Sequence, residues 1–392
     1  MSVPELLGYE RQDGTVGVRN HVLLVSSMDV TNPLARRIAA AVAGAVPIGT
    51  AFGRIHEGAD RAQHERTLAG LIRNPNTAAA LVVGFEPDTT AGVVEAAGAG
   101  GKPIAALSVL THGSTTDLLH EGVRIAAGMA AEAGRTARTP LPLSSLVLGL
   151  KCGGSDPTSG LIGNAAVGRV SDAVVEAGGT VVLTETEDMV GAEHLLAARA
   201  ATPEISARLR AAVARLEEQA QAQGARLSAL GADHLAAGIT TNEEKALGSI
   251  LKAGRSTLQE VIGYAERPTR KGLVFMDALG GGIPEITGLT AAGAQVILFV
   301  TGSGHPTGHP VAPTLKITAN PRTAARFATS VDVDVSQALA GEMSLDAAAA
   351  RVREALLAVC AGRMTRNELL GDVESTVASI HAWSQHLVGL SG

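Results

Sequence analysis

Residues 146–164 read LVLGLKCGGSDPTSGLIGN, apolar as far as Leu150 and then abruptly polar and glycine-rich. A run this apolar, without alternation, fits a strand buried on both faces. The glycine-rich turn that ends it fits the strand-to-helix junction of a parallel α/β unit. Similar runs recur at 21–27 (HVLLVSS), 79–85, 103–109, 179–185, 272–277 and 295–301 (QVILFVT), each followed by a turn and a helix-like stretch. Helices are clearest at 32–45 and 203–223. The pattern predicts an α/β protein with two domains of mostly parallel sheet flanked by helices. The boundary is placed in the proline-containing segment 132–144, which gives an N-terminal α/β domain at 1–140 and a C-terminal one at 141–392.

The 392 residues exceed one ordinary core. A net charge of −6 without a basic cluster, and only five Phe, two Tyr and one Trp, argue against nucleic acid as a partner. No basic leader and no long uncharged apolar window is present, so no membrane partner and a cytoplasmic location are expected. In a reducing compartment Cys152 and Cys360 are expected to stay free.

In open parallel sheets the chemistry collects beyond the carboxyl ends of the strands. The first such junction offers Lys151, Cys152, Ser155, Asp156, Thr158 and Ser159, with glycines that let backbone amides cradle an anion. A plain glycine-rich turn over a small buried Cys explains the same residues equally well. The second, TETEDMVGAEHL at 184–195, holds Glu185, Glu187, Asp188, Glu193 and His194, groups suited to metal ligation or acid–base work. A solvated acidic loop is the simpler alternative. The third, at 300–316, carries His305, His309 and Lys316. Pro306, Pro310 and the glycines forbid the helix that an H-x-x-x-H metal pair requires, so these residues are candidates to face substrate.

Arg19 and Asn20 open a strand, the end that normally faces away from a site. Arg54, Thr89 and Thr90 lie in polar junctions of the first domain. The phosphate loop, the G-x-S-x-G elbow and C-x-x-C are all missing.

Seven segments in order, GYERQDGTVGVRN, RTLAGLIRNPNTAAALVVG, LKCGGSDPTSGLIGNAAVG, ETEDMVGAEHLLAARA, GITTNEEKALG, KGLVFMD and TGSGHPTGHPVAPTLKITAN, resemble the altronate and galactarate dehydratase family from about residue 8 to 370. The resemblance implies a divalent-metal-dependent lyase, with Fe2+ first and Mn2+ or Mg2+ as alternatives. Such an enzyme removes the proton α to the carboxylate of a 2-hydroxy acid and expels a group from C3. LKCGGSD and GAEH resemble signature loops. They imply catalytic roles for Lys151, Cys152, Ser155, Asp156, Glu193 and His194, with Cys152, Glu193 and His194 as metal candidates. Substrate contacts are expected from Arg19, Asn20, Arg54, Thr89, Thr90, Ser159, His305, His309 and Lys316.

Family dehydratases carry a small N-terminal domain before the GY-R-DG segment, which here begins at Gly8. The chain therefore resembles a large subunit with a separate small partner, and a homo-oligomer is also expected. Cysteines that family dehydratases carry near Asp60, Pro87 and Val335 are absent. FGRIHEGAD and GFEPDTT instead resemble the family's sulfolactate lyase branch. A sulfolactate-like substrate is thus placed ahead of a sugar acid. A non-catalytic binding or regulatory subunit is the reading from another class.

Overall fold

The computed structural model describes residues 6–53, 57–98, 101–222, 224, 230–278 and 281–378. In chain order the elements are β1 (Leu7–Glu10), β2 (Val16–Gly17), β3 (His21–Ser26), α1 (Asn32–Ala40), β4 (Ala45–Ile48), α2 (Gly58–Arg73), β5 (Thr77–Gly84), α3 (Pro87–Ala97), β6 (Ile104–Ser108), α4 (Thr115–Ala133) and β7 (Thr139–Pro140). They continue with β8 (Val147–Cys152), α5 (Ala165–Glu176), β9 (Thr180–Leu183), α6 (Glu193–Ala197), α7 (Pro203–Ala222), α8 (Ala232–Ala237), α9 (Asn242–Ile250), β10 (Leu258–Ile262), β11 (Gly272–Met276) and α10 (Ile283–Ala291). The last are β12 (Val296–Val300), β13 (Thr314–Thr318), α11 (Pro321–Arg326), β14 (Val333–Asp334), α12 (Leu345–Cys360) and α13 (Arg366–Leu370).

Two parallel sheets form the frame. The first has strand order β4-β3-β5-β6, and the second β10-β11-β9-β8-β12-β13-β14. A small antiparallel sheet, β2-β1-β7, lies beside them. All seven apolar runs become strands; six are buried along nearly their whole length, and β6, at an edge of the first sheet, only in part. The helix expected over 32–45 stops at Ala40, because Gly44 takes φ +78° and the next residues turn into β4.

The sheets share one hydrophobic cluster. Leu23, Val25, Ala80 and Val82 of the first meet Val182, Val274, Ile297 and Phe299 of the second through Leu68, Leu71, Ile286 and Leu289 of α2 and α10. This burial fixes the carboxyl ends of β8, β9 and β12 relative to one another.

One close approach bears directly on the site. A Cβ at Gly168, on α5, would lie 2.1 Å from the Leu251 carbonyl oxygen, in the turn that carries Lys252. Gly168→Ala is therefore expected to cost about 1–3 kcal/mol through overpacking against backbone. It should also lower turnover by displacing Lys252. Urea denaturation together with an activity assay checks both effects.

Candidate active site

Strand β8 brings Lys151 and Cys152 to the carboxyl edge of the second sheet, where Cys152 pairs in register with Val300. Beyond them Gly154 takes φ +57°, and its carbonyl accepts from the N–H groups of Gly302 (3.1 Å) and Ser303 (2.8 Å). The loop then enters a wide turn of π type, Ser159–Asn164, before α5. Such turns recur at functional sites.

Next to β8, Glu185 follows two residues after the end of β9; it is buried and sits at φ 77°, ψ 70° without being glycine. A buried Glu in the left-handed region persists only where its surroundings hold it there. Here Lys151 Nζ donates to Oε1 at 2.5 Å, the Cys152 N–H donates to Oε2 at 3.0 Å, and Lys252 Nζ also donates to Oε2.

Three residues on, Asp188 accepts from Lys245 Nζ at 2.5 Å and from Ser249 Oγ at 2.9 Å, both on α9. Lys252 Nζ also donates to Cys152 Sγ at 2.9 Å. Sγ is 3.6 Å from Glu185 Oε2 and 3.7 Å from Asp188 Oδ2. Cys152, Glu185 and Asp188 thus present one donor atom each, all within 4.8 Å of one another and all buried. Behind them Lys151 Nζ reaches Glu285 Oε2, in the first turn of α10, at 2.6 Å. Glu285 Oε1 and Glu187 Oε2 are buried without a hydrogen-bond partner among the described residues.

The electrostatics follow from this crowding. Burial, reinforced by Glu285 and Asp188, pushes the Glu187 carboxyl well above the usual range. Burial also raises Glu285, to about 7, because Lys151 only partly offsets it and Glu185 adds to it. Burial opposes ionisation of Asp188 too, but Lys245, Lys252 and Lys151 overcome it and hold that carboxyl below its ordinary value. Burial and Glu185 raise the Cys152 thiol against the pull of Lys252. Five acidic groups (Cys152, Glu185, Glu187, Asp188, Glu285) face three ammoniums (Lys151, Lys245, Lys252). Fully ionised, the set would carry a surplus of two negative charges.

The other expected residues lie at varying distances from this group. Ser155 is buried in the loop after Cys152. Asp156 acts as a staple, its Oδ1 accepting from Thr158 and from the amide and hydroxyl of Ser159, and its Oδ2 accepting from Asn320. His305 packs on Phe299 with ring centroids 4.9 Å apart, and Lys316 Nζ lies 3.4 Å from the centre of that ring while donating to the Thr307 carbonyl. Burial, then Lys316 and Lys151, lowers His305 to about 4, and burial holds Lys316 well below its usual value. His309 is buried, with Nδ1 accepting from the amides of Val311 and Ala312.

Glu193 accepts from the Gly191 amide through its own Oε2, and His194 is exposed. Among the described residues the structure does not gather either of them with Cys152. Thr89 and Thr90 bond back to the Glu86 carbonyl, and Arg54 lies outside the described residues. Asn20 bridges Arg11 and the Ala133 carbonyl.

Arg19 donates to both carboxylate oxygens of Glu368, at 2.7 and 2.9 Å, and to the carbonyls of Val359 and Arg363. This ties the start of β3 to the C-terminal helices. Burial opposes ionisation of Glu368, but Arg19 and the Thr365 cap lower its pKa, so the pair stabilises the fold above the ordinary Glu range and the gain vanishes as pH falls through the lowered value. Glu368→Gln is expected to cost about 2 kcal/mol at pH 7 and progressively less below about pH 4. Denaturation curves at both pH values check this.

Lys245, Ser249, Lys252 and Glu285 were not singled out from the sequence. Lys245, Ser249 and Lys252 lie on α9 and the turn after it and Glu285 opens α10, and only the fold brings these two segments to Cys152 and Lys151.

Comparison with known proteins places these features. Residues 143–382 match the family model described as D-galactarate/altronate dehydratase, C-terminal, and residues 8–134 match D-galactarate dehydratase/altronate hydrolase, second domain. The (2R)-sulfolactate sulfo-lyase subunit beta of Chromohalobacter salexigens is 36% identical over 379 residues, 96% of this chain and 97% of that one. The altronate dehydratase of Bacillus subtilis is 32% identical over 326 residues, 80% of this chain but 65% of that one. The galactarate dehydratase (L-threo-forming) of Escherichia coli is 29% identical over 76% of this chain and 59% of its own length. No described helix is long and apolar enough to cross a membrane.

Proposed function

We propose that this chain, which belongs to the D-galactarate/altronate dehydratase family, is the large subunit of a metal-dependent lyase that eliminates the C3 substituent of a small anionic 2-hydroxy acid. A sulfolactate-like substrate is favoured over a sugar acid because the chain spans 97% of a sulfo-lyase subunit but only 65% of an altronate dehydratase. On this reading a small partner subunit is encoded separately, by analogy with that two-component relative.

The observation that carries the chemistry is the buried thiol and two carboxylates within 4.8 Å, in a group with two acidic protons in excess of its ammoniums. A divalent cation closes that balance; the two carboxylates suit Mn2+, and the thiolate beside them shifts the preference toward Fe2+. We assign its donors to Cys152, Glu185 and Asp188, in place of Glu193 and His194. When bound, the ion supplies a Lewis acid for the substrate carboxylate and 2-hydroxyl.

The side chains do the rest. Glu285, with one free carboxylate oxygen and a pKa raised to about 7, is placed as the base that takes the C2 proton. The Lys151 and Lys252 ammoniums stabilise the charge that develops as the C2 electrons form the C2–C3 double bond and the C3 substituent leaves with its bonding pair. Tautomerisation of the enol then gives the 2-keto acid, pyruvate when sulfite is expelled from sulfolactate.

The test is an anaerobic assay with Fe2+ or Mn2+, with and without the candidate small subunit, following sulfite and 2-keto acid. Sulfite plus pyruvate is expected. Keto acid from a sugar acid without sulfite would make the chain a dehydratase subunit, and no product from any of these acids would sink the lyase reading.

A further inference from the structure

The segment after β12 brings His305, His309 and Lys316 to the carboxyl edge of the second sheet, and they differ in what they can offer a ligand. Lys316 is 1% exposed, with Nζ held by the Thr307 carbonyl against the Phe299 ring. His309 is equally closed, and its Nδ1 is taken by two backbone amides. His305 is half-buried. Its Nδ1 accepts from the Thr307 amide at 3.3 Å, so the neutral ring carries its proton on Nε2, and among the described residues no group accepts from that atom.

The Nε2 edge lies where the working segments meet. A Cβ at Gly282 would come 3.2 Å from Nε2, and one at Gly153 would come 3.7 Å from Cδ2. Gly153 directly follows Cys152, and Gly282 caps the N-terminus of α10, three residues before Glu285. The ring rests on Phe299, which pairs in register with Lys151 on one side and Lys316 on the other. Thr301 Oγ1 accepts from the Gly304 and His305 amides and the Gly154 carbonyl accepts from those of Gly302 and Ser303, so the loop holds the ring in place. His305 therefore presents a fixed, uncharged N–H between the thiol loop and the helix of Glu285.

Such a donor suits one kind of leaving group. The ring can hydrogen-bond a developing anion, but surrendering the Nε2 proton would leave an imidazolate, so it is no acid for a departing hydroxide. Sulfite leaves as a stable anion and needs donors to its oxygens rather than a proton. We infer that His305 Nε2–H contacts the C3 substituent of the substrate and selects a sulfonate over a hydroxyl at that carbon. The inference rests on the lyase reading of the preceding section: with the carboxylate and 2-hydroxyl assigned to the Cys152 group, C3 is the end left for His305. As the C2 proton passes to Glu285, the C3–S bond breaks with its electron pair going to sulfur, and His305 keeps its proton throughout.

Calorimetric titration of the Mn2+-supplied chain with 3-sulfopropanoate and with propanoate, neither of which can yield a 2-keto acid, reads the contact apart from turnover. The sulfonate is expected to tighten wild-type binding at least about tenfold. His305→Phe keeps the ring on Phe299 and removes the donor, so that gain should vanish. His305→Gln supplies an uncharged N–H and should keep it. In the metal-supplied two-subunit assay His305→Phe should lower sulfite release from 3-sulfolactate by on the order of 10²–10³-fold, His305→Gln should recover most of it, and wild type should form no pyruvate from glycerate. Thermal melting confirms that both variants are folded. No sulfonate gain in wild type, the same gain in His305→Phe, or pyruvate from glycerate as fast as from 3-sulfolactate overturns the inference. A gain that depends on His305 without turnover of any acid keeps the sulfonate contact and rejects the lyase reading. Turnover indifferent to His305 does the reverse.

Discussion

Lys252→Met is expected to abolish turnover, by on the order of 10²–10³-fold, while costing about 3–5 kcal/mol of stability. The ammonium is fully buried and touches both Glu185 and Cys152. Methionine keeps nearly the same volume, so the loss is electrostatic rather than a cavity. Glu185 keeps Lys151 as a partner, but the surplus of buried acid rises by one, and removing one member of a buried pair leaves the other uncompensated. Turnover falls because the charge of the developing enolate loses a fixed positive neighbour in a site closed to water. Urea denaturation and steady-state kinetics read the two effects separately. A variant with near-normal stability and turnover would show that Lys252 is not part of the working group.

The second large effect is expected at Glu185. Glu185→Gln keeps the shape and removes the charge that Lys151, Lys252 and the Cys152 amide all address. Two buried ammoniums then lose a carboxylate, which again costs about 3–5 kcal/mol. Metal affinity should weaken by at least about 100-fold, since even removal of an outer-shell partner costs 10–100-fold. Glycine adopts φ 77° freely, so relief of about 1–3 kcal/mol of backbone strain partly offsets the lost ion pairs. Glu185→Gly is therefore expected to be no less stable than Glu185→Gln, yet equally inactive. Denaturation curves and chelator competition distinguish these outcomes.

The contrast between the residues legible in the sequence and those found only in space has a physical basis. Strands buried on both faces announce themselves as unbroken apolar runs, so β3, β5, β8, β9, β11 and β12 can be read directly, and the part-exposed edge strand β6 is apolar enough to be read with them. Strands β4, β10 and β13 could not, because AVPI carries a proline, LQEVI is half polar and TLKIT holds Lys316. The loop after β8 was legible for the same reason as its strand: Cys152 stands where apolar sequence gives way to glycine. The acidic stretch after β9 is legible as crowded, and within it only Glu193 and His194 stand out, through the resemblance of GAEH to a signature loop. The structure turns Glu185 and Asp188 inward instead, through a left-handed residue and a single helical turn that nothing in the local sequence marks. Lys245 and Lys252 read as ordinary helix and turn lysines until α9 and the turn after it bring them to Asp188 and Cys152. A buried lysine is visible only once its carboxylates are placed.

Cys152, Glu185 and Asp188 together are expected to hold one divalent cation. The measurement is an anaerobic titration of the purified chain with Fe2+ and with Mn2+, by metal analysis and chelator competition, on wild type, Cys152→Ala and Asp188→Asn. One equivalent per chain, weakened at least about 100-fold in both variants, is the predicted result. No retained ion in the wild type, or equal retention in all three proteins, would contradict it.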